Sequence, residues 1–507
     1  MKQLRLTVPD LLRLRADREP ERKALILDGH RSLTFAEWER RSDSAARGLR
    51  QQGVHRGDRL GLLFSDGGWI EYAIGCLAAQ KAGAATVHLS AGLDLSQLAY
   101  RVRKASVSGI IRQADGPVPP GYHGWSASVE TLEAGYPTAF DDGIGPLDIA
   151  DIAFTSGTTN EPKAIAVPHG NLTYGRGESD DPLFPEEKIL LSAWRMGTNA
   201  SQATIVSALT ANPSVLVTAR PTPEHFAALI SRLRVGAVML SPHVAMGLWT
   251  ARLCEHYDLT SVHAVGIGSA PVLPTARNAL AMTFRNASIA VMYSSAESSP
   301  AFTSVIFPSW AEHKDPHFFT GPMAWSVGRP RAGTEVAVAG GHGDPLAPNQ
   351  VGEVRLRSPA PSRWYDGEPA ATSRVFRGGW IDTGDLGYHD AEGSLYLFDR
   401  ASDAVTVDGK RVSTPSIEEA LVQHPAILDA AVFGLPDDGS NQPIAAAIVL
   451  REPGSRPTLD ELRAFLARRL AADEIPGTVY FMGSIPRNLM GKALKGALCN
   501  LATSGLL

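Results

Sequence analysis

Apolar runs of strand length alternate with helical stretches through the first half of the chain, and this alternation constrains the fold more than any other feature. Residues 35–49 place Phe35, Trp38, Ala45, Ala46 and Leu49 on one helical face, with Thr34 suited to cap its start and Gly53 just past its end. A strand-like run follows at 59–64, a helical stretch at 69–82 and another strand-like run at 84–89. The pattern recurs through 189–209, 214–218, 223–233 and 237–240. Strands that alternate with helices build helix-covered, mostly parallel sheets. Residues 332–398 differ, because short strands at 335–339, 352–357 and 394–397 sit between Gly, Pro and Asp turns. A small β-rich subdomain is expected there.

The pattern changes again after Arg400. A helix is expected from 416 to 421, strands at 427–433 and 444–450, and an amphipathic helix at 459–470. The expected organisation is therefore α/β and multidomain: a large N-terminal domain over 1–400, then a compact C-terminal α+β domain over 401–507. A chain of 507 residues exceeds what a single core supports. The net charge of −5 argues against a partner that is nucleic acid. Cys76, Cys254 and Cys499 are scattered with no C-x-x-C spacing, which excludes a disulfide framework or a zinc site of paired cysteines and suits a reducing compartment. Charge interrupts the N-terminus throughout, and Gln80, Lys81 and His88 break the small-residue stretch at 73–89. Neither a signal peptide nor a membrane span is expected, and the location that follows is cytoplasmic.

The stretch TSGTTNEPKA, residues 155–164, follows an apolar strand-like run at 149–154. It offers the hydroxyls of Thr155, Ser156, Thr158 and Thr159, the flexible Gly157 and the ammonium of Lys163. Hydroxyls, backbone amides and an ammonium in one loop suit an anion with many oxygens, of which a polyphosphate is the obvious case. The loop is not a Walker A sequence, and alone it reads equally well as an ordinary turn. Other segments keep it company. MYSSAESSP (292–300) brings Glu297 to a strand end, WIDTGDLGYHDAEGSLYLFDR (380–400) brings Asp385 in a tight turn and Arg400 shortly after, and PRNLMGKALKG (486–496) brings Lys492 behind a glycine. Singly, Asp385 reads as a turn residue, Glu297 as a helix cap and Lys492 as a solvated lysine.

In this order and at these separations, the motifs resemble those of the adenylate-forming superfamily of acyl-CoA synthetases, adenylation enzymes and luciferase-like ligases. The resemblance spans nearly the whole chain, including RSLTFAEWERRSDSAARGLRQQGVHRGDRLGLLF (31–64) and QVGEVRLRSP (350–359). It implies a large N-terminal domain with α/β sheets and a barrel-like β subdomain, followed by a mobile C-terminal domain. It also implies chemistry in two halves. A carboxylate attacks the α-phosphate of Mg·ATP to give an acyl-adenylate, and a thiol of coenzyme A or of a carrier-protein phosphopantetheine then displaces AMP.

On that resemblance, Thr155, Ser156, Gly157, Thr158 and Thr159 would cradle the β- and γ-phosphates, with Lys163 adding charge. Glu297 would hold Mg2+, with Thr158 beside it, and Tyr293, Ser294 and Ser295 would face the nucleotide. Asp385 would accept the ribose hydroxyls next to Arg400, and Gly268, Ser269, Ala270 and Pro271 of GIGSAP (266–271) would line the adenine. Lys492 would bridge carboxylate and α-phosphate. Gly409 matches a glycine beside the pantetheine path, although a plain turn would also use it, and Ser402 matches the hinge.

The chain departs from the family pattern at several points. Asn160 and Ala164 replace glycines in the phosphate loop, and Ser294 and Ala296 replace the glycine and threonine that precede the metal-binding glutamate. LSAWRMG (191–197) places Trp194, Arg195 and Gly197 where relatives carry an aromatic–histidine pair on the substrate side, with Ser294 also facing the substrate. That stretch lacks the aspartate with which amino-acid-activating relatives hold the α-amine, which argues against an α-amino acid. The expected activity is ATP-dependent ligation of an aryl or medium acyl acid to a thiol. Two alternatives stay open: adenylation of another oxyanion such as nitrite for diazotisation of an aryl amine, and a nucleotide-binding protein that has lost catalysis.

Overall fold

A computed structural model describes residues 6–506, apart from 115, 117, 134–142, 156–161, 177–187, 314–321, 332, 342, 437–440 and 453. Parallel strands form the centre of the larger sheet, in the order Ser288–Tyr293, Ala264–Ile267, Ala237–Leu240, Ile189–Ser192, Ser214–Val217 and Lys23–Leu27. The helices expected from the apolar spacing connect them, including Asn199–Thr210 and Pro223–Leu233. A second sheet contains Ile149–Phe154, Ala85–Ser90, Arg59–Phe64 and Gly109–Arg112, all parallel, with Ala164–Pro168 antiparallel on the outer side of Ile149–Phe154.

Local chemistry explains most of these boundaries. Thr34 caps helix Phe35–Gln51 by accepting from the Glu37 N–H at 3.2 Å, and Trp38, Ala45, Ala46 and Leu49 are buried along one face. Helix Trp69–Lys81 is buried almost all round and lies between the sheets' common core residues. Its one cation, Lys81, is fully buried and pairs with Glu39 at 2.8 Å and Asp43 at 2.5 Å, which offsets the cost of removing the ammonium from water.

The short strands within 332–398 join the larger sheet in one hydrogen-bonded path. Strand Ser326–Pro330 meets Thr303–Phe307 through the pairs Thr303↔Pro330 and Ser304↔Arg329, and Leu395–Arg400, Trp380–His389, Gly352–Arg357 and Glu335–Ala339 follow antiparallel. The seam requires Gly328, whose φ is +82° and whose missing Cβ would lie 2.0 Å from the Ser304 carbonyl. Asp385, expected in a tight turn, instead lies within strand Trp380–His389 and pairs in register with Arg400. Gly384 supplies the positive φ that made the segment look like a turn.

Beyond Arg400 comes a hairpin, Val405–Val407 with Lys410–Val412, then helix Thr414–Val422. A sheet of Ile427–Gly434, Ile444–Leu450 and Thr478–Phe481 follows, and these elements bury two apolar clusters of their own. The amphipathic helix there is Leu459–Leu466, shorter than its apolar pattern, and the chain beyond it tightens into a turn in which the Arg469 N–H bonds three residues back to the Leu466 carbonyl. Among the described residues no helix is long and apolar enough to cross a membrane.

Candidate active site

Strand Ile149–Phe154 delivers Thr155, and strand Ala164–Pro168 begins just after Lys163. The two residues close the neck of the intervening loop twice: the Thr155 N–H donates to the Lys163 carbonyl and the Lys163 N–H to Thr155 Oγ1, each at 3.0 Å. Ser156, Gly157, Thr158 and Thr159 lie outside the described residues. Lys163 Nζ stands 4.6 Å from the ring centroid of Tyr365, and the Tyr365 hydroxyl donates to Glu297 Oε1 at 2.9 Å. Burial, and then the Glu297 carboxylate, raise the Tyr365 pKa, so the hydroxyl stays protonated and remains a donor.

Glu297 sits in the turn after strand Ser288–Tyr293, and its neighbours are pinned on both sides. Ser295 and Ser298 exchange side-chain-to-backbone hydrogen bonds at 2.9 and 3.1 Å, and Ser294 Oγ donates to the Ala301 carbonyl at 2.7 Å. Arg363, 5% exposed, donates to the Ala296 carbonyl at 2.7 Å and to Asn171 Oδ1 at 2.9 Å. Burial lowers its pKa to about 10, against the pull of Asp151 and Glu297, so the guanidinium remains charged beside Glu297 at neutral pH.

Asp385 occupies the opposite strand. Its Oδ2 accepts from the Tyr293 hydroxyl at 2.8 Å and its Oδ1 from Arg400 Nε at 3.1 Å. Burial works against the Arg400 charge, but Asp385, together with Glu297 and Asp403, outweighs it, so the Arg400 pKa rises. Ser269 adopts a left-handed φ of +72° directly after Gly268, whose missing Cβ would lie 2.8 Å from the Met292 carbonyl. This close approach brings Ser269, Ala270 and Pro271 to the cavity wall.

Lys492 comes from the C-terminal part of the chain. Its loop is closed by Asn488, which accepts from the Lys492 N–H at 3.0 Å, and Gly491 at φ +81° packs against His243 so closely that a Cβ would meet that side chain at 2.7 Å. Lys492 Nζ lies 3.9 Å from Asp403 Oδ2. Burial lowers the Lys492 pKa to about 8, and Arg400 adds to this while Asp403 and Asp385 oppose it. Lys495 nearby is held by Glu418 at 2.7 Å.

One cavity of about 950 Å³ joins these groups. Thr155, Lys163, Glu297 and Lys492 border it, together with Tyr293, Ser294 and Ser295, Ser269 to Pro271, and the Asp385–Arg400 pair. Gly268 lies just behind its wall. Three candidates for the substrate side are placed elsewhere: Trp194, Arg195 and Gly197 are not among the lining residues. Arg195 is exposed and pairs with Asp66 at 3.2 Å, and Gly197 at φ +75° fits against the Ser90 backbone, where a Cβ would come within 2.4 Å. Asn199, Ala203 and Val206 of helix Asn199–Thr210 border the cavity, as do Met246 and Gly247 of helix Pro242–Thr250. Gly409 is at the tip of the Val405–Val407 hairpin with Asp408, both at positive φ, as a two-residue turn requires, and does not border the cavity. Ser402 is exposed in the turn after Arg400.

Tyr365, Arg363 and Asp403 were not singled out by sequence reasoning. The run RWYDG reads as loop, and only the antiparallel pairing of Trp364–Tyr365 with Ala164–Pro168 brings Tyr365 beside the phosphate loop. A further buried network ties helix Asn199–Thr210 to strand Ile149–Phe154: Asp151 accepts from Gln202 at 2.6 Å and from Gln80 at 2.9 Å, and His88, beside it, meets the Tyr72 hydroxyl at 2.5 Å. Burial would raise the Asp151 pKa, but His88 and the hydrogen bonds from Thr86 and Gln202 outweigh it, and the pKa falls to about 2.

A two-part α/β enzyme with a cation from its C-terminal part entering a cavity of this kind is an adenylate-forming ligase. The AMP-binding enzyme family model matches residues 12–365 and the model of that family's C-terminal domain matches 416–492, so the chain belongs to the AMP-binding enzyme family, the AMP-dependent synthetases and ligases. It is similar to a feruloyl-CoA synthase of Amycolatopsis sp., at 28% identity over 92% of this chain and 94% of that one. It is also similar to the fatty acid–[acyl-carrier-protein] ligase ScoC of Streptomyces coeruleorubidus, at 27% identity over 95% and 94%. Among solved structures, the amide bond synthetase McbA from Marinactinospora thermotolerans superposes with a TM-score of 0.80 at 25% identity, covering 98% of this chain and 99% of that one.

Proposed function

We propose that the cavity adenylates an organic carboxylic acid of aryl or medium acyl size and passes the acyl group to a thiol, that of coenzyme A or of a carrier-protein phosphopantetheine. In the first step an oxygen of the acid forms a bond to the α-phosphorus of ATP, and the bond from that phosphorus to the bridging oxygen breaks, releasing pyrophosphate. In the second, the sulfur bonds to the acyl carbon, the acyl–oxygen bond to AMP breaks, and the thiol proton passes to solvent.

The residues fit these demands. Two anions must meet in the first step, and Lys492 places a positive charge where they would meet, while Lys163 stands at the polyphosphate end. Glu297 offers the hard oxygen that Mg2+ prefers, and the ion when bound neutralises phosphate charge. Asp385, held by Tyr293 and Arg400, keeps its carboxylate fixed to accept ribose hydroxyls. The helices proposed to wall the substrate, Asn199–Thr210 and Pro242–Thr250, carry no carboxylate to hold an α-ammonium, and the small Ala203 leaves width for a ring or chain. The feruloyl-CoA synthase and the acyl-carrier-protein ligase support an acid substrate and a thiol acceptor.

The observation that carries this reading is the convergence of Lys492, Glu297 and the Asp385–Arg400 pair on one cavity. Its test is ATP–pyrophosphate exchange across a panel of aryl, short-chain and medium-chain acids, α-amino acids, and nitrite with an aryl amine. Exchange with aryl or medium acyl acids is expected. Exchange confined to α-amino acids or nitrite, or none with any member, would overturn it.

A further inference from the structure

Helix Pro274–Thr283 starts without a cap of its own. Its N-cap residue is Leu273, which makes no side-chain hydrogen bond to the first turn. Uncapped N–H groups at a helix start carry partial positive charge and cost free energy when they are removed from water without an acceptor. Here the acceptor comes from the C-terminal part of the chain. Glu419, on helix Thr414–Val422 and 6% exposed, accepts the Thr275 N–H at 3.1 Å through Oε2 and the Thr275 hydroxyl at 2.6 Å through Oε1. Gln423 Nε2 donates to the same Oε1 at 3.1 Å and holds the carboxylate in place. Arg277, 1% exposed and donating to the Met323 and Ser326 carbonyls, adds a buried positive charge that draws the carboxylate in.

Thr275 itself borders the cavity, directly after the segment that carries Ser269 to Pro271. Glu419 belongs to the same packed unit as Lys492: helix Thr414–Val422 packs in one apolar cluster with strand Ile427–Gly434, and Arg487, in the loop that presents Lys492, grips Asp429 of that strand at 2.6 and 2.7 Å. Fixing Glu419 therefore fixes the body from which Lys492 projects.

We propose that Glu419 is a positioning residue for the adenylation step: by capping helix Pro274–Thr283 from across the interface, it seats the unit that carries Lys492 over the cavity. The inference rests on the reading of Lys492 as the adenylation lysine, so its test has one arm that does not need activity. In that arm the Lys492 amine is labelled with acetic anhydride and quantified by mass spectrometry in the wild type, Glu419→Ala and Glu419→Gln. In the other, pyrophosphate release and acyl transfer from synthetic acyl-adenylate are measured separately.

Glu419→Ala is expected to label several-fold faster at Lys492 and to adenylate about ten- to a hundredfold more slowly, the rate equivalent of a hydrogen bond to a charged group. Its ATP Michaelis constant and its transfer from preformed adenylate should stay near wild type. Glu419→Gln keeps one carbonyl acceptor at unchanged size and should fall between the two. Unchanged labelling, or equal loss in both half-reactions, overturns the proposal. Faster labelling in a protein whose wild type releases no pyrophosphate with any acid upholds the seat and overturns the adenylation reading instead.

Discussion

The hydroxyl of Tyr365 donates to the Glu297 carboxylate at 2.9 Å while the Lys163 ammonium lies over the same ring, 4.6 Å from its centroid. One side chain thus links Lys163 to Glu297, the carboxylate proposed to hold Mg2+. Tyr365→Phe keeps the ring under Lys163 and removes only the hydroxyl. The Mg2+ concentration for half-maximal pyrophosphate release should rise between about threefold and tenfold, as expected for losing a hydrogen bond worth roughly 0.7–1.4 kcal/mol. A titration of Mg2+ at fixed ATP measures it, and an unchanged midpoint would separate Glu297 from the metal.

Lys492 is charged only below about pH 8, because burial, with Arg400 next, holds its pKa beneath the ordinary 10.5. The free-enzyme profile of kcat/KM for adenylation should therefore fall as pH rises through about 8, since the ammonium that stabilises the transition state is lost. Lys492→Arg keeps the charge and should abolish that limb, whereas Lys492→Ala should slow adenylation by about 10²–10³ with transfer from preformed adenylate little changed. The stability sign is also fixed. The unfolded lysine holds its proton up to about 10.5 and the folded one only to about 8, so this group's contribution to stability rises with pH across that window. Pyrophosphate release against pH and a pH series of thermal melts check the two statements.

Asp385 is held by two donors, Tyr293 and Arg400, before any nucleotide arrives. Removing it by Asp385→Ala takes away an acceptor that serves ground state and transition state alike, so the ATP Michaelis constant should rise roughly tenfold or more with turnover much less affected. The change also leaves the half-buried Arg400 without its ion-pair partner, so a modestly lowered melting temperature should accompany it. Initial rates across an ATP series settle the first part, and a fall in turnover at unchanged ATP constant would move the carboxylate's role elsewhere.

The sheets were legible because burial on both faces leaves long apolar strands such as Ile149–Phe154, and because Thr34 and the apolar face after it mark a helix start. The site residues that sequence order pointed to, Lys163, Glu297, Asp385, Arg400 and Lys492, border one cavity. The full cavity lining was not legible. Trp194 and Arg195 follow a strand, yet the chain turns at Gly197 against Ser90, and residues of the next helix border the cavity. Tyr365 escaped notice because its role depends on an antiparallel strand pairing between residues about 200 positions apart in sequence, Tyr365 with Ile165 and Trp364 with Ala166, and no local pattern reports such a register. Glu419 was hidden for a related reason, since a carboxylate on an amphipathic helix carries no sign that it caps another helix.

A tight turn leads from Arg400 into the C-terminal part. The Asp403 and Ala404 N–H groups both donate to the Arg400 carbonyl, at 3.0 and 2.9 Å, and the Ala401 N–H donates to the Gly384 carbonyl at 3.0 Å. The N–H of Ser402 has no backbone acceptor among the described residues, and its side chain is exposed and bonded only to Asp403 at 2.8 Å. Proline at 402 thus removes no backbone hydrogen bond of this arrangement, but it fixes φ near −65° and denies the turn other angles. If the C-terminal part must reorient about Ser402 between the two half-reactions, as the family resemblance implies, Ser402→Pro should favour one half at the expense of the other. Pyrophosphate release and acyl transfer from preformed adenylate, assayed separately, should then differ by tenfold or more in their response, because a hinge position absorbs the whole backbone rotation. Wild-type rates in both halves would place the pivot away from Ser402 or show that this enzyme works in one orientation.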